Sequence, residues 1–197
     1  MPLKRRKTDM TKNIMIVGVG GQGTLLASRI LGNTVIGEGY DVKVSEVHGM
    51  SQRGGSVVTY VKYGKEVYSP IIDEGCADII LAFELLEAYR ALPYLKKGGK
   101  MIVNAQEINP IPVITGAMEY PKDIEGKLKA SADAIVIDAL SAASEAGNPK
   151  AVNVVLIGVL AKASEIAYEK WVETIKATVP AKFLDVNLKA FDIGYDL

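Results

Sequence analysis

The chain has 197 residues, 49% hydrophobic and 23% charged, the composition of a globular domain with a full core. Its 23 basic residues are offset by 23 acidic ones and only 7% of residues are aromatic, which argues against a general nucleic-acid binder with its basic excess and base-stacking surface. A single cysteine excludes an intrachain disulfide and any four-cysteine zinc or iron–sulfur site built from this chain alone, and fits a reducing cytoplasm.

The basic start "MPLKRRKTDM" leads into an apolar run that breaks at Gly18, too short for a signal peptide. No stretch approaches the roughly 18 apolar residues of a membrane span. Residues 1–12 are expected to be a flexible N-terminus and 13–197 a single domain.

Residues 13–18 read as a buried strand and 22–37 as a helix, with Leu25, Leu26, Ile30 and Leu31 on one face and Gly37 and Gly39 at its end. Residues 40–47 form a second strand, and such a strand–helix–strand unit is expected to cross over right-handed into a parallel pair. "VVTYVKYGKEVYSP" (57–70) reads as a β-hairpin turning at Tyr63, Gly64 and Lys65. A buried strand at 77–83, a helix to about Leu95, a "KKGGK" turn and a strand at 101–104 follow. Residues 114–121 read as a short extended piece and 133–139 as the last strand. From Asn148, a helix cap with Pro149 in the first turn, the pattern becomes helical. Val152, Val155, Leu156, Val159, Leu160 and Ala163 make a wide apolar face. Two further helices cover 168–178 and 180–195, the last lined by Leu184, Leu188, Phe191 and Tyr195. The expected fold is α/β: a Rossmann-like, mostly parallel sheet with a β-hairpin excursion and a helical C-terminal third.

Gly18-x-Gly20-x-x-Gly23 follows a strand and opens a helix, the context of a phosphate-binding turn. The first glycine allows the turn, the second lets backbone approach a pyrophosphate, and the third lets helix and strand pack closely. Gly21 adds another bare residue, and the first helical turn directs its N–H groups at an anion. A merely structural tight turn is the competing reading. Glu46, at the end of the second strand, is where a dinucleotide enzyme binds ribose hydroxyls, or is an ordinary strand-end charge. Beyond it, "HGMSQRGGS" sets His48, Gln52 and Arg53 among glycines and serines. Arg53 suits a phosphate, and Gly54-Gly55 offers more open backbone. Two glycine loops near one switch point suggest a ligand with several phosphates or a docked partner surface. His48, the only histidine, cannot form a metal site alone. A chemical role, a ligand or interface hydrogen bond, and plain structure all remain open for it. Cys76 is expected to be an inert core thiol, Trp171 a packing or interface residue, and Asp138 either a cap or a group facing the crevice.

"GVGGQGTLLASRILG", "SEVHGMSQRGGSVVTYVKYG", "VYSPII", "ADIILAFELLEAYRALPYL", "GNPKAVNVVLIGVLAKA" and "VPAKFLDVNLKAF" resemble the gamma subunit, or gamma domain, of 2-oxoacid:ferredoxin oxidoreductases. Within them the match is to the beta subunits of indolepyruvate:ferredoxin oxidoreductases. It spans about residues 13–193, and loop 45–56 is its most specific part. The resemblance implies a subunit, inactive alone, of a complex that oxidatively decarboxylates arylpyruvates with coenzyme A and ferredoxin to arylacetyl-CoA and carbon dioxide. It implies that thiamine diphosphate and 4Fe-4S clusters sit on a larger alpha subunit, with ferredoxin reached through that subunit and no cofactor tightly bound here. By resemblance, Gly18, Gly20, Gly21, Gln22 and Gly23 form a first loop. His48, Met50, Ser51, Gln52, Arg53, Gly54 and Gly55 form a second. Which of them meets coenzyme A and which the partner stays open. The alternatives are a subunit acting on pyruvate, 2-oxoisovalerate or 2-oxoglutarate, a stand-alone NAD-dependent dehydrogenase using Glu46, and a nucleotide-sensing or scaffolding module.

Overall fold

The computed structural model describes residues 11–49 and 55–197. Six strands form one sheet in the order β2-β3-β1-β4-β5-β6: β1 (Lys12–Val19), β2 (Asp41–His48), β3 (Ser56–Gly64), β4 (Ala77–Ala82), β5 (Leu95–Asn104) and β6 (Asp133–Ile137). β1, β4, β5 and β6 pair in parallel, while β3 runs antiparallel to both its neighbours. The α/β class and the mostly parallel sheet are as expected.

Four local expectations change. The first two strands do not pair with each other, because β3 is inserted between them. The hairpin is β2–β3, registered from Asp41 opposite Gly64 to His48 opposite Val57, and residues 65–70 form no strand. The connection 49–55 is too short for a parallel crossover, so β3 must return antiparallel. The segment 114–121 is not extended either: it follows the single turn α3 (Ile111–Ile114) as further turns. β5 also begins earlier than expected, running through the Lys96-to-Gly99 turn with a register shift against β4.

Alternation along the buried strands feeds two cores. Ile14 and Ile16 of β1 point to one face, with α1 (Thr24–Gly37), α5 (Ala139–Ala146), α6 (Val152–Lys162), α7 (Tyr168–Thr178) and α8 (Leu184–Asp196). Met15 and Val17 point to the other, with α2 (Leu85–Ala91) and α4 (Ile124–Ser131). Helices α4 and α5 are absent from the sequence reading. α6 is buried from Val152 to Ala161, because it lies between the sheet and α8. It crosses α8 where Gly158 and Gly194 let the two backbones approach: a Cβ at Gly194 would meet the Val155 carbonyl, and one at Gly158 the Phe191 carbonyl.

Candidate functional site: two loops at the switch point

α1 leaves the carboxyl end of β1 toward one face and α2 leaves that of neighbouring β4 toward the other. The crevice between these ends is where open α/β sheets bind ligands. The first loop lies here, and its glycines serve different ends. A Cβ at Gly18 would stand 2.8 Å from Gln22 Oε1 and 3.0 Å from Phe83 Cβ. That space seats the Gln22 amide, whose Oε1 accepts from Val19 N–H (2.8 Å) and whose Nε2 donates to Phe83 O (2.9 Å) and Gln106 Oε1 (3.2 Å). Gly23 adopts φ +84, and a Cβ there would fall 2.7 Å from Asn153 Nδ2; that nitrogen donates to Gly23 O at 3.3 Å. Gly21, at φ +99, has nothing within 4 Å of its missing Cβ. α1 starts without a side-chain cap and without an acidic residue in its first turn, leaving the positive end of the helix for an anion.

The second loop leaves β2 at His48 and returns at Ser56. Gly49 N–H donates to Ser56 O at 2.9 Å and closes its neck, and Gly20 N–H donates to Gly55 O at 2.9 Å, joining the two loops. Met50, Ser51, Gln52, Arg53 and Gly54 lie outside the described residues. Glu46 has a partner on each oxygen: Oε2 accepts from Thr59 Oγ1 at 2.9 Å, and Oε1 lies 2.8 Å from His48 Nε2. The two residues thus tie the end of the hairpin together, with the His48 side chain 59% exposed.

The sequence reading missed the polar groups that hold this end of the sheet. Glu84, 1% exposed, caps α2 by accepting from Glu87 N–H (2.8 Å) and also accepts from Ile108 N–H (3.1 Å) and Tyr120 OH (2.6 Å). Burial, and then this bond to Glu84, push the Tyr120 hydroxyl well above its ordinary pKa. Asn104 donates to Phe83 O (3.1 Å) and accepts from Ala139 N–H (3.2 Å). Ser56 Oγ donates to Glu87 Oε2 (2.6 Å), and Arg90 Nη1 to Glu87 Oε1 (2.5 Å). The signal available was a polar side chain set against an apolar run, as for Glu84 in "LAFELL" and Asn153 in "AVNVVL".

Elsewhere, Asp138 is a cap, accepting from Ser141 N–H at 2.9 Å and Ser141 Oγ at 2.6 Å. These bonds, the hydroxyl's first, hold its carboxyl below the ordinary range. Cys76 is exposed, so it is not a core thiol: it sits in the turn before β4, and the core begins at Ala77. Trp171 is fully buried in packing. Among the described residues no cluster of three or more His, Cys, Asp or Glu could hold a metal ion, and no helix is long and apolar enough to cross a membrane. A cleft of about 1060 Å³ opens at the opposite, amino-terminal end of the strands, between Lys12, Tyr40, Tyr63 and Tyr168. It lies at the far end of the sheet from the described parts of both loops.

The fold is shared with solved structures. It matches the gamma subunit of a keto/oxoacid ferredoxin oxidoreductase from Geobacter sulfurreducens, with a TM-score of 0.70 at 22% identity over 94% of this chain and 96% of that one. It also matches a 2-oxoglutarate:ferredoxin oxidoreductase from Magnetococcus marinus, with a TM-score of 0.73 at 18% identity over 98% of this chain and 31% of that one. These likenesses concern the fold. In sequence, the chain is 46% identical over 194 residues to the indolepyruvate oxidoreductase subunit IorB of Thermococcus kodakarensis, covering 92% of this chain and 93% of the relative. It is 47% identical, with the same coverage, to that of Pyrococcus horikoshii. Residues 13–197 match pyruvate ferredoxin/flavodoxin oxidoreductase, and the chain belongs to this family.

Proposed function

We propose that this chain is the gamma-type (beta) subunit of an indolepyruvate:ferredoxin oxidoreductase and that its two loops grip coenzyme A, while an arylpyruvate is oxidatively decarboxylated on a larger partner. Identity of 46–47% along nearly the full length of both chains, to relatives named for indolepyruvate, carries the assignment. The Magnetococcus marinus structure has 2-oxoglutarate, coenzyme A and succinyl-CoA bound, which supports the same cosubstrate here. Locally, the reading is supported by bare backbone at Gly21, an uncapped α1 and a second loop bearing Arg53, a donor set that suits a diphosphate and a sugar phosphate.

In this division of labour the chain binds and orients the thiol cosubstrate. Thiamine diphosphate and the clusters that pass electrons to ferredoxin belong to the partner, consistent with a single cysteine here. The products are arylacetyl-CoA, carbon dioxide and reduced ferredoxin, and the compartment is the reducing cytoplasm. Glu46, on which the dehydrogenase reading relies, serves the hairpin here through Thr59 Oγ1 and His48 Nε2.

The test is Arg53→Ala in the complex purified with its partner. One charge-assisted phosphate contact is worth about 1.5–3 kcal/mol, so KM for coenzyme A should rise roughly 10- to 150-fold. An unchanged KM with weakened subunit association would assign the second loop to the interface instead.

A further inference from the structure

We infer that Glu87 and Ser56 are positioning residues for coenzyme A, fixing the end of the second loop against the first; the inference rests on the reading above. Ser56 closes the second loop and Glu87 lies outside both, on α2, and the two meet where the loops are joined. Gly55 O accepts from Gly20 N–H, and the next residue, Ser56, accepts from Gly49 N–H with its carbonyl, both at 2.9 Å. The Ser56 hydroxyl donates to Glu87 Oε2 at 2.6 Å.

Glu87 is only 4% exposed. A carboxylate so buried is tolerated where its oxygens are bonded, and here the other oxygen takes Arg90 Nη1 at 2.5 Å. Its backbone N–H is held by Glu84 Oε2 at 2.8 Å. Glu84 Oε1 in turn holds Ile108 N–H and Tyr120 OH, in the segment whose Gln106 bonds Gln22 at 3.2 Å. Hydrogen bonds and short stretches of chain therefore make a circuit around the crevice, from Gln22 to Gln106, along the chain to Ile108, through Glu84, Glu87 and Ser56 to Gly55, and back to Gly20. β3 has its ladder to β1 and β2 regardless of Ser56 Oγ. The Ser56–Glu87 bond sets where Gly55 and the loop end sit, and such preorganisation governs how well phosphate-facing backbone is placed.

The experiment uses the complex copurified with its partner. Glu87→Gln and Ser56→Ala are each expected to raise KM for coenzyme A about 5- to 30-fold, less than loss of a direct charged contact because the bond reaches the ligand only through the loop, while kcat and KM for the arylpyruvate stay within about two-fold. Ser56→Ala deletes the bond and Glu87→Gln takes away its charge, so in the double variant, where no bond is left to weaken, KM for coenzyme A should be no higher than in Ser56→Ala alone. Ser56→Thr, which keeps the hydroxyl, should return KM for coenzyme A to within about three-fold of the parent. Should Glu87→Gln fail to assemble, the Ser56 pair carries the test, since it changes one hydroxyl on a strand held by its ladder. An unchanged KM for coenzyme A in the assembled variants overturns the inference, as do parallel rises in both KM values. Arg53→Ala run alongside separates two failures. If it raises KM for coenzyme A and the Ser56 and Glu87 variants do not, the positioning role alone falls. If it too has no effect, the assignment of coenzyme A to these loops falls with it.

Discussion

Gly23 and Gly21 look alike as sequence and differ in what a methyl group would do to them. Both occupy positive φ, but a Cβ at Gly23 also meets Asn153, whereas one at Gly21 meets nothing. Gly21→Ala should therefore cost about 1 kcal/mol of backbone strain. Gly23→Ala should cost about 2–3 kcal/mol, adding displacement of the Asn153 amide from Gly23 O; urea titration of the two variants reads the difference. Asp138 gives a residue-scale prediction in pH. Its carboxyl lies below the ordinary value in the folded chain, so its contribution is whole above the unfolded pKa and is lost as pH falls through the folded one. Asp138→Ala should cost about 1 kcal/mol near neutrality, and the gap in unfolding free energy between variant and parent should close as the pH is lowered below about 4. The glycines, Gln22 and Glu46 were legible as special positions, but their partners were not. The acceptors of the Gln22 amide are Phe83 and Gln106, far along the chain, and no spacing rule reaches that distance. Cys76 was misread because one residue separates the exposed turn from buried Ala77, finer than an apolar pattern resolves.

Among the elements, those with a sustained period were readable: β1, α1, β4 and the three C-terminal helices fall where the apolar spacing places them. The hairpin was recognised but attached to the wrong partner. β3 alternates in burial along its length, and alternation states that a strand has two unequal faces, not which strand lies beside it. The short helices α4 and α5 carry few large apolar residues and have side-chain caps, Asp123 on Gly126 N–H and Asp138 on Ser141 N–H; a cap before so short a run is a weak signal. The crossing of α6 and α8 supplies the prediction at this scale. In Gly194→Ala the new methyl would enter the Val155 backbone, which cannot rotate aside as a side chain can. The two helices must separate along a wholly buried seam, costing about 3 kcal/mol or more. Gly37→Ala, at a helix end with open space around it, should change stability by less than about 0.5 kcal/mol and serves as the control. Thermal unfolding of both, followed by circular dichroism, checks the contrast.

At the scale of the whole molecule, the position of the site followed from topology. Once β1 and β4 are neighbours with helices on opposite faces, their carboxyl ends define the crevice, and the sequence reading had put both glycine loops near such a switch point. What the chain lacks is equally a whole-molecule property. In the proposed function, oxidising a 2-oxoacid releases two electrons, and passing them singly to ferredoxin calls for centres that one cysteine cannot ligate. The isolated chain should therefore fold, since its two cores are complete, yet reduce no ferredoxin with indolepyruvate and coenzyme A at any concentration. Titrated into a fixed amount of purified partner subunit, it should restore ferredoxin reduction along a line that breaks at a fixed stoichiometry and then stays flat. Its own concentration sets activity only until each partner is filled. Because acidic and basic residues balance, long-range steering adds little to that association, and the break should stay in place when salt is raised from about 50 to 200 mM, a range over which screening weakens charge-driven encounters. Turnover by the isolated chain, or activity that climbs without a break, would show that the chemistry does not depend on a neighbouring subunit.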